Sequence, residues 1–271
     1  MSKVPETNLR ERIKLFIKRK YAEGDQLYWD PPDSTFSNYS NWIEKQVDLE
    51  KYERTYGKIV SWLEKRIKIK GAMILDNGCG MGRVSILLAK AGGNVVGVDI
   101  DPERIEIASM NKKLRKADVT MLCGDSTILP FPNNTFDLIV SIDVTEHVSD
   151  TRSYLRECVR VLKPERMLHC IFKNKFYWYD SHYRLYFVTW LPRRLADFYE
   201  ACQKTKVSIT LFSYGEIMQM IIELRKQILE IRGEARIKGR IKCPQLVKFI
   251  SWLYLHFAPS LSILARCERD Q

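Results

Sequence analysis

Residues 74–83 read Ile74-Leu75-Asp76-Asn77-Gly78-Cys79-Gly80-Met81-Gly82-Arg83, and a second apolar run, Asn94-Val95-Val96-Gly97-Val98-Asp99, ends in an acid sixteen residues after Arg83. An apolar run that ends in a carboxylate and breaks into alternate glycines ahead of a helical pattern reads as strand, tight turn and helix. Glycine has no Cβ, so a turn through Gly78, Gly80 and Gly82 can take positive φ and let a ligand approach the backbone. The helix expected from about Gly82 to Ala91 aims its free N–H groups at that ligand.

The second strand delivers Asp99, whose two oxygens can accept both hydroxyls of a ribose, as the acid about 20 residues beyond the glycines does in dinucleotide folds. A dinucleotide site wants G-x-G-x-x-G, and counting from Gly78 its third glycine falls on Arg83, which disfavours a nicotinamide oxidoreductase. The spacing here is instead D-x-G-x-G-x-G, from Asp76 to Gly82. That pattern resembles motif I of the class I S-adenosylmethionine (SAM) dependent methyltransferases.

Outward from the turn, strands and helices alternate. Strands are expected at Met73–Asp76, Val95–Asp99, Val119–Cys123, Phe136–Ile142 and Met167–Phe172. Helices are expected at 84–90, at Pro102–Leu114 behind an Asp101 N-cap, and at Thr151–Leu162. Such alternation calls for a parallel sheet with helices on both faces. Further on, Ser213–Glu223 reads as an amphipathic helix, Ile228–Ile231 and Leu261–Ala265 as two last strands, and 245–256 as a helix between them. The expected fold is a doubly wound, Rossmann-like α/β domain with a seven-stranded, mostly parallel sheet and the antiparallel C-terminal edge of the resembled family.

The resemblance extends over about a hundred residues. Gly124-Asp125-Ser126, then Leu129-Pro130-Phe131 and Phe136-Asp137-Leu138-Ile139-Val140, is similar to the family segment whose acid holds the adenine amino group. The local alternative for Asp125 is a helix cap. The resemblance implies SAM as cofactor, held by Asp76, Gly78, Cys79, Gly80 and Gly82, by Asp99 and Ile100, and by Asp125 and Ser126. In the family the acid at Asp76 orders water near the methionine amino group. Arg160-Val161-Leu162-Lys163-Pro164 resembles the family's helix-to-strand turn, with Glu165-Arg166 in place of the usual glycine pair, a departure expected to alter the turn and not the chemistry.

After the fourth strand comes Asp143-Val144-Thr145-Glu146-His147-Val148. In an open α/β sheet the carboxyl ends of the strands border the ligand crevice, so Asp143 and His147 are candidates on the substrate side. The D-x-x-E-H arrangement resembles the E-x-x-E-H of ubiquinone-pathway O-methyltransferases, where a divalent metal is associated with it. Many methyltransferases carry a similar turn without metal, and no metal site is assigned here.

Segment 174–199 holds ten aromatic residues. Trp190-Leu191-Pro192 with Leu195-Ala196 resembles the insert of some bacterial small-molecule methyltransferases, which implies a helical, aromatic substrate lid over 174–212 after strand five. Within it His182 is the residue suited by its ordinary pKa to general-base work. Residues 1–69 read as a helical N-terminal cap, broken at Pro31-Pro32, over the cofactor mouth, and 70–271 as the methyltransferase domain.

Composition narrows the rest. Charged residues at 28% and hydrophobic ones at 45% of 271 describe a chain able to bury a core. The net charge of +11 suits an anionic or membrane-associated partner as well as a merely solvated surface. Seven cysteines without a C-x-x-C pair are neither a disulfide framework nor a zinc signature, which fits a cytoplasmic location, with a peripheral place at the inner membrane surface as the second option. Residues 246–265 are too interrupted by polar groups for a spanning helix, and the first residues show no signal-peptide core. The basic run 232–242 reads as a solvated loop or a phosphate patch.

The expected activity is methyl transfer from SAM to a small-molecule, lipid-like or glycan acceptor, preferably at oxygen, by a monomer or homodimer. DNA is not expected as a partner. RNA is the alternative substrate, disfavoured because strand four lacks an Asn/Asp-Pro-Pro-Tyr/Phe turn; a non-catalytic SAM-binding interaction protein is the second alternative.

Overall fold

The computed structural model describes residues 6–22, 49–177, 179–180, 185–187, 190–192, 194–195, 211–224, 226–233 and 260–267. In chain order these form α1 (Glu6–Ala22), α2 (Leu49–Glu64), β1 (Met73–Asn77), α3 (Arg83–Lys90), β2 (Asn94–Asp99), α4 (Pro102–Leu114), β3 (Val119–Cys123) and β4 (Phe136–Ser141). There follow α5 (Thr151–Val161), β5 (Leu162–Lys173), β6 (Tyr179–Asp180), β7 (Leu185–Tyr186), α6 (Tyr214–Glu223), β8 (Lys226–Gly233) and β9 (Ser260–Cys267).

The main sheet runs β3-β2-β1-β4-β5-β9-β8, a Rossmann-like mixed sheet. Strands β1 to β5 pair in parallel, and β9 enters antiparallel between β5 and β8. Order reverses between β1 and β4, the switch point at which a crevice opens beyond the carboxyl ends of an open α/β sheet.

The period of two along each strand sends successive side chains to opposite cores. Ile74 of β1 and Leu138 and Val140 of β4 join α2 and α3 on one face, through Val60, Leu63, Val84, Ile86 and Leu88. Leu75 and Ile139, one residue along, join α5 and α6 on the other, through Tyr154, Leu155, Cys158, Ile217 and Ile221. A third, smaller cluster packs Leu9, Ile13 and Phe16 of α1 on Ile107 of α4, with Met81, Met110 and Leu114 at its border. Ion pairs from Arg12 to Glu106 and from Arg19 to Glu103 flank it. Met81 belongs to the glycine turn, so α1 backs that turn directly.

Two local expectations are corrected. Residues 160–164 are not a turn: α5 ends at Val161 and β5 begins at Leu162, because Leu162 pairs with Phe136 before the ladder shifts register and resumes at Leu138–Met167. Glu165, in the place of a family glycine, takes the left-handed conformation at φ 60 that the glycine would otherwise supply. Arg160 is drawn back instead, donating to Glu157 and to the carbonyls of Phe131 and Leu129. The second correction concerns residues 179–186, expected as helix: β6 and β7 pair antiparallel, Tyr179 with Tyr186 and Asp180 with Leu185, as aromatic-rich alternation favours. Of the basic run 232–242, expected as a loop or patch, Arg232 and Gly233 belong to β8 and pair with β9, while the rest, the expected helix 245–256 and His182 lie outside the described residues.

Candidate functional site

The glycine turn is built by packing on one side and left open on the other. Gly78, Gly80 and Gly82 all have positive φ, at 84, 53 and 75. A Cβ on Gly78 would stand 2.3 Å from Val144 Cγ2, and one on Gly82 would stand 2.6 Å from Met121 Cε and 3.0 Å from Ala108 Cβ. Those two glycines are required by neighbouring side chains. Gly80 differs: a Cβ there would meet nothing nearer than the Arg104 guanidinium at 3.9 Å, so its face opens on the crevice. The helix that follows, α3, has no side-chain cap at its N-terminus.

Asp99, buried at the end of β2, locks this turn. Its Oδ2 accepts the Gly80 N–H at 2.8 Å and its Oδ1 accepts the Asp101 N–H at 3.0 Å, with Arg104 Nη1 3.7 Å from Oδ2. Each carboxylate oxygen has two lone pairs, so this anchoring leaves capacity for two ligand hydroxyls. Ile100, the next residue, is 66% exposed, an apolar surface beside the acid that suits the face of a base. Asp125 accepts the N–H and the hydroxyl of Thr127 at 2.7 Å each through Oδ1, and these bonds hold its carboxyl below the usual range. These bonds form a local turn and not the helix cap weighed for Asp125, since no helix stands between β3 and β4, and they engage only one of its two oxygens. Ser126 stands half-buried beside it.

Asp76 is 2% exposed and accepts the Ser85 hydroxyl at 2.5 Å. Burial pushes its pKa up to about 6, against the Ser85 bonds that lower it and with a smaller push from Asp99. Cys79, also buried, has its thiol pushed well up by desolvation and is inert as a nucleophile. Gly97 makes room for both neighbours, since a Cβ there would lie 2.9 Å from Ser85 Oγ and 3.0 Å from Cys79 Sγ. A glycine inside an apolar strand signals such a close approach, and sequence reasoning had passed over it.

Beneath the crevice, Tyr154 of α5 ties the ends of β1 and β4 together. Its hydroxyl donates to Ser141 Oγ at 2.7 Å and contacts the Asn77 carbonyl at 3.2 Å, and Asn77 Nδ2 donates to Cys158 Sγ at 3.3 Å. The network fixes the two strand ends from which the glycine turn and the 143–148 loop depart.

That loop separates the residues that its sequence had grouped. Asp143 is exposed, with φ 55, and pairs with Lys173 Nζ at 2.8 Å. Glu146 is 1% exposed, and His147 is exposed, its N–H donating to the Val144 carbonyl at 2.9 Å. Among the described residues no group of three His, Cys, Asp or Glu side chains is placed to hold a metal ion. Lys173, at the end of β5, was missed, and nothing in its local sequence marks it.

Residues 75–170 match the family described as a methyltransferase domain. The chain is 33% identical over 105 residues to a ubiquinone biosynthesis O-methyltransferase of Coxiella burnetii, a stretch covering 39% of this chain and 45% of that protein. The chain thus spans about half the length of that relative. Among solved structures it resembles a protein of Pyrococcus horikoshii, with TM-score 0.59, 21% identity, and 82% of this chain and 94% of that one covered. It also resembles the magnesium protoporphyrin IX methyltransferase of Synechocystis with bound S-adenosylhomocysteine, with TM-score 0.57, 17% identity, and 94% and 100% covered.

These matches support a methyltransferase domain over residues 75–170, the stretch that contains the glycine turn and its two downstream acids. The open face of Gly80, the anchored Asp99 and the exposed Ile100 are compatible with S-adenosylmethionine, the cofactor that the resemblance implies.

Proposed function

We propose that the protein moves a methyl group from SAM to an oxygen of a small-molecule acceptor. The observation that carries this reading is the one open glycine of the turn, Gly80, bonded through its N–H to the Asp99 carboxylate at the mouth of the switch-point crevice. Asp99 would hold the ribose hydroxyls, Ile100 cover the base, Asp125 accept from its amino group with Ser126 alongside, and Asp76 serve the amino-acid end. SAM, once bound, supplies a methyl group already activated by a positive sulfur. The chain's own task is then to align a nucleophilic atom with that methyl group and to exclude water. Asp143, His147 and His182 are the acceptor-side candidates. The similarity to a ubiquinone biosynthesis O-methyltransferase favours oxygen as the target.

The net charge of +11 supports a second reading, an RNA substrate. Incubation with labelled SAM and cell extract separated into lipid, nucleic-acid and water-soluble pools decides between them. Label in the water-soluble or lipid pool is the expected result. Label in nucleic acid selects the RNA reading, and tight SAM binding with no label anywhere selects a non-catalytic binding protein.

A further inference from the structure

The Asp143–Lys173 pair joins the loop after β4 to the end of β5, on the acceptor side of the switch point. Three features set it apart from a surface ion pair. Val144, the residue after Asp143, fills the space that the missing Cβ of Gly78 leaves, so the loop that carries Asp143 abuts the cofactor turn. Asp143 holds a left-handed backbone, which a non-glycine residue adopts at a cost and which concentrates at ligand sites. Both side chains stay partly open, at 44% for Asp143 and 27% for Lys173, so the pair borders the surface from which an incoming group approaches.

An ammonium ion at that place recognises a negative oxygen and favours the ionised form of a hydroxyl brought beside it. We propose that Lys173 is the acceptor-binding cation of this protein, and that the acceptor carries an acidic hydroxyl which ionises against it. The O–H bond breaks with its electron pair left on oxygen, the proton passes to water, and the oxyanion shares the Lys173 ammonium with Asp143. Asp143 is the partner of the ammonium before the acceptor arrives and competes with the oxyanion for it afterwards. The inference rests on the methyltransferase reading and adds to it the chemical class of acceptor and a residue for its recognition.

The test uses 4-nitrophenol as probe, because its phenolate has its own visible band, with the full chain saturated in S-adenosylhomocysteine. An optical titration is expected to show the bound phenol ionising about tenfold more readily than the free one, a shift of one pKa unit. Lys173→Met should abolish that shift, Lys173→Arg should restore most of it, and Asp143→Asn should enlarge it by removing the competing anion. S-adenosylhomocysteine affinity, read by calorimetry, should be the same in all four proteins, which also shows that each variant is folded. An equal shift in wild type and Lys173→Met, or no binding of 4-nitrophenol to the loaded wild type, overturns the proposal. Failure of the wild type to bind S-adenosylhomocysteine overturns instead the cofactor reading on which it rests.

Discussion

Two glycines of one turn should respond to the same substitution in opposite ways. Gly78 and Gly80 both sit in the left-handed region, at φ 84 and 53. Alanine in that conformation costs about 1–2 kcal/mol at either position. At Gly78 the new methyl group would also lie 2.3 Å from Val144 Cγ2 in a packed interior, and such overpacking adds about 1–3 kcal/mol. Gly78→Ala should therefore lower unfolding free energy by about 2–5 kcal/mol, and Gly80→Ala by only about 1–2 kcal/mol. Ligand affinity should reverse the ranking per unit of stability lost. The Gly80 methyl group projects into the crevice beside Asp99, where only the Arg104 guanidinium comes within 3.9 Å. A ligand displaced from that surface should bind at least about tenfold more weakly, or about 1.4 kcal/mol. Urea unfolding gives the first quantity, and calorimetric titration with S-adenosylhomocysteine gives the second. Wild-type affinity in a folded Gly80→Ala protein would refute the assignment of that face to the cofactor. A Gly78→Ala protein as stable as Gly80→Ala would refute the steric account of the turn.

Asp99→Ala should weaken SAM binding by about 1.5–3 kcal/mol, the worth of hydrogen bonds to a charged group, and unchanged calorimetric affinity removes the ribose assignment. Asp76 gives a pH signature. Its folded pKa, raised by burial from 3.8 to about 6, means that the native state holds its proton more tightly than the unfolded chain. Its contribution is therefore full below pH 3.8 and is lost as pH rises through about 6, a change of roughly 3 kcal/mol at 1.36 kcal/mol per unit. Asp76→Asn should remove that fall, so the stability of wild type relative to the variant should decline between acid and neutral pH in urea titrations; parallel curves contradict it. Phe16→Ala should cost about 3 kcal/mol by emptying the cluster between α1 and α4. It should also raise the S-adenosylhomocysteine dissociation constant several-fold, because Met81 of the glycine turn borders that cluster; thermal melting and calorimetry read the two effects, and an unchanged melting midpoint would show that α1 contributes nothing.

What the sequence disclosed and what it hid divide along the range of the interactions concerned. The strand-turn-helix at 74–90, the Asp101 cap and the amphipathic helix ending at Glu223 rest on contacts within a few residues, so pattern alone places them. The alternation of Ile74 and Leu75, or of Leu138 and Ile139, between two cores is equally local in origin, since a strand has a period of two. Residues 160–166 mislead because pairing of Leu162 with Phe136, far along the chain, outweighs a local turn signal. The acceptor side is harder still. Asp143, Glu146 and His147 look like one constellation by spacing, yet the turn through Val144 and His147 sends them to different surroundings, one exposed and paired, one buried and one exposed. Lys173 has no local signature, because a lysine at the end of a strand reads the same whether it faces solvent or a carboxylate from the loop after the neighbouring strand. Only the β4–β5 ladder, which sets Ser141 opposite Cys170, brings the two following segments side by side and turns two ordinary charges into a pair. On the proposed reading, cofactor recognition is written in a contiguous stretch, whereas acceptor recognition is written in sheet topology. The same turn can serve many acceptors while the residues beyond the carboxyl ends of β4 and β5 choose among them.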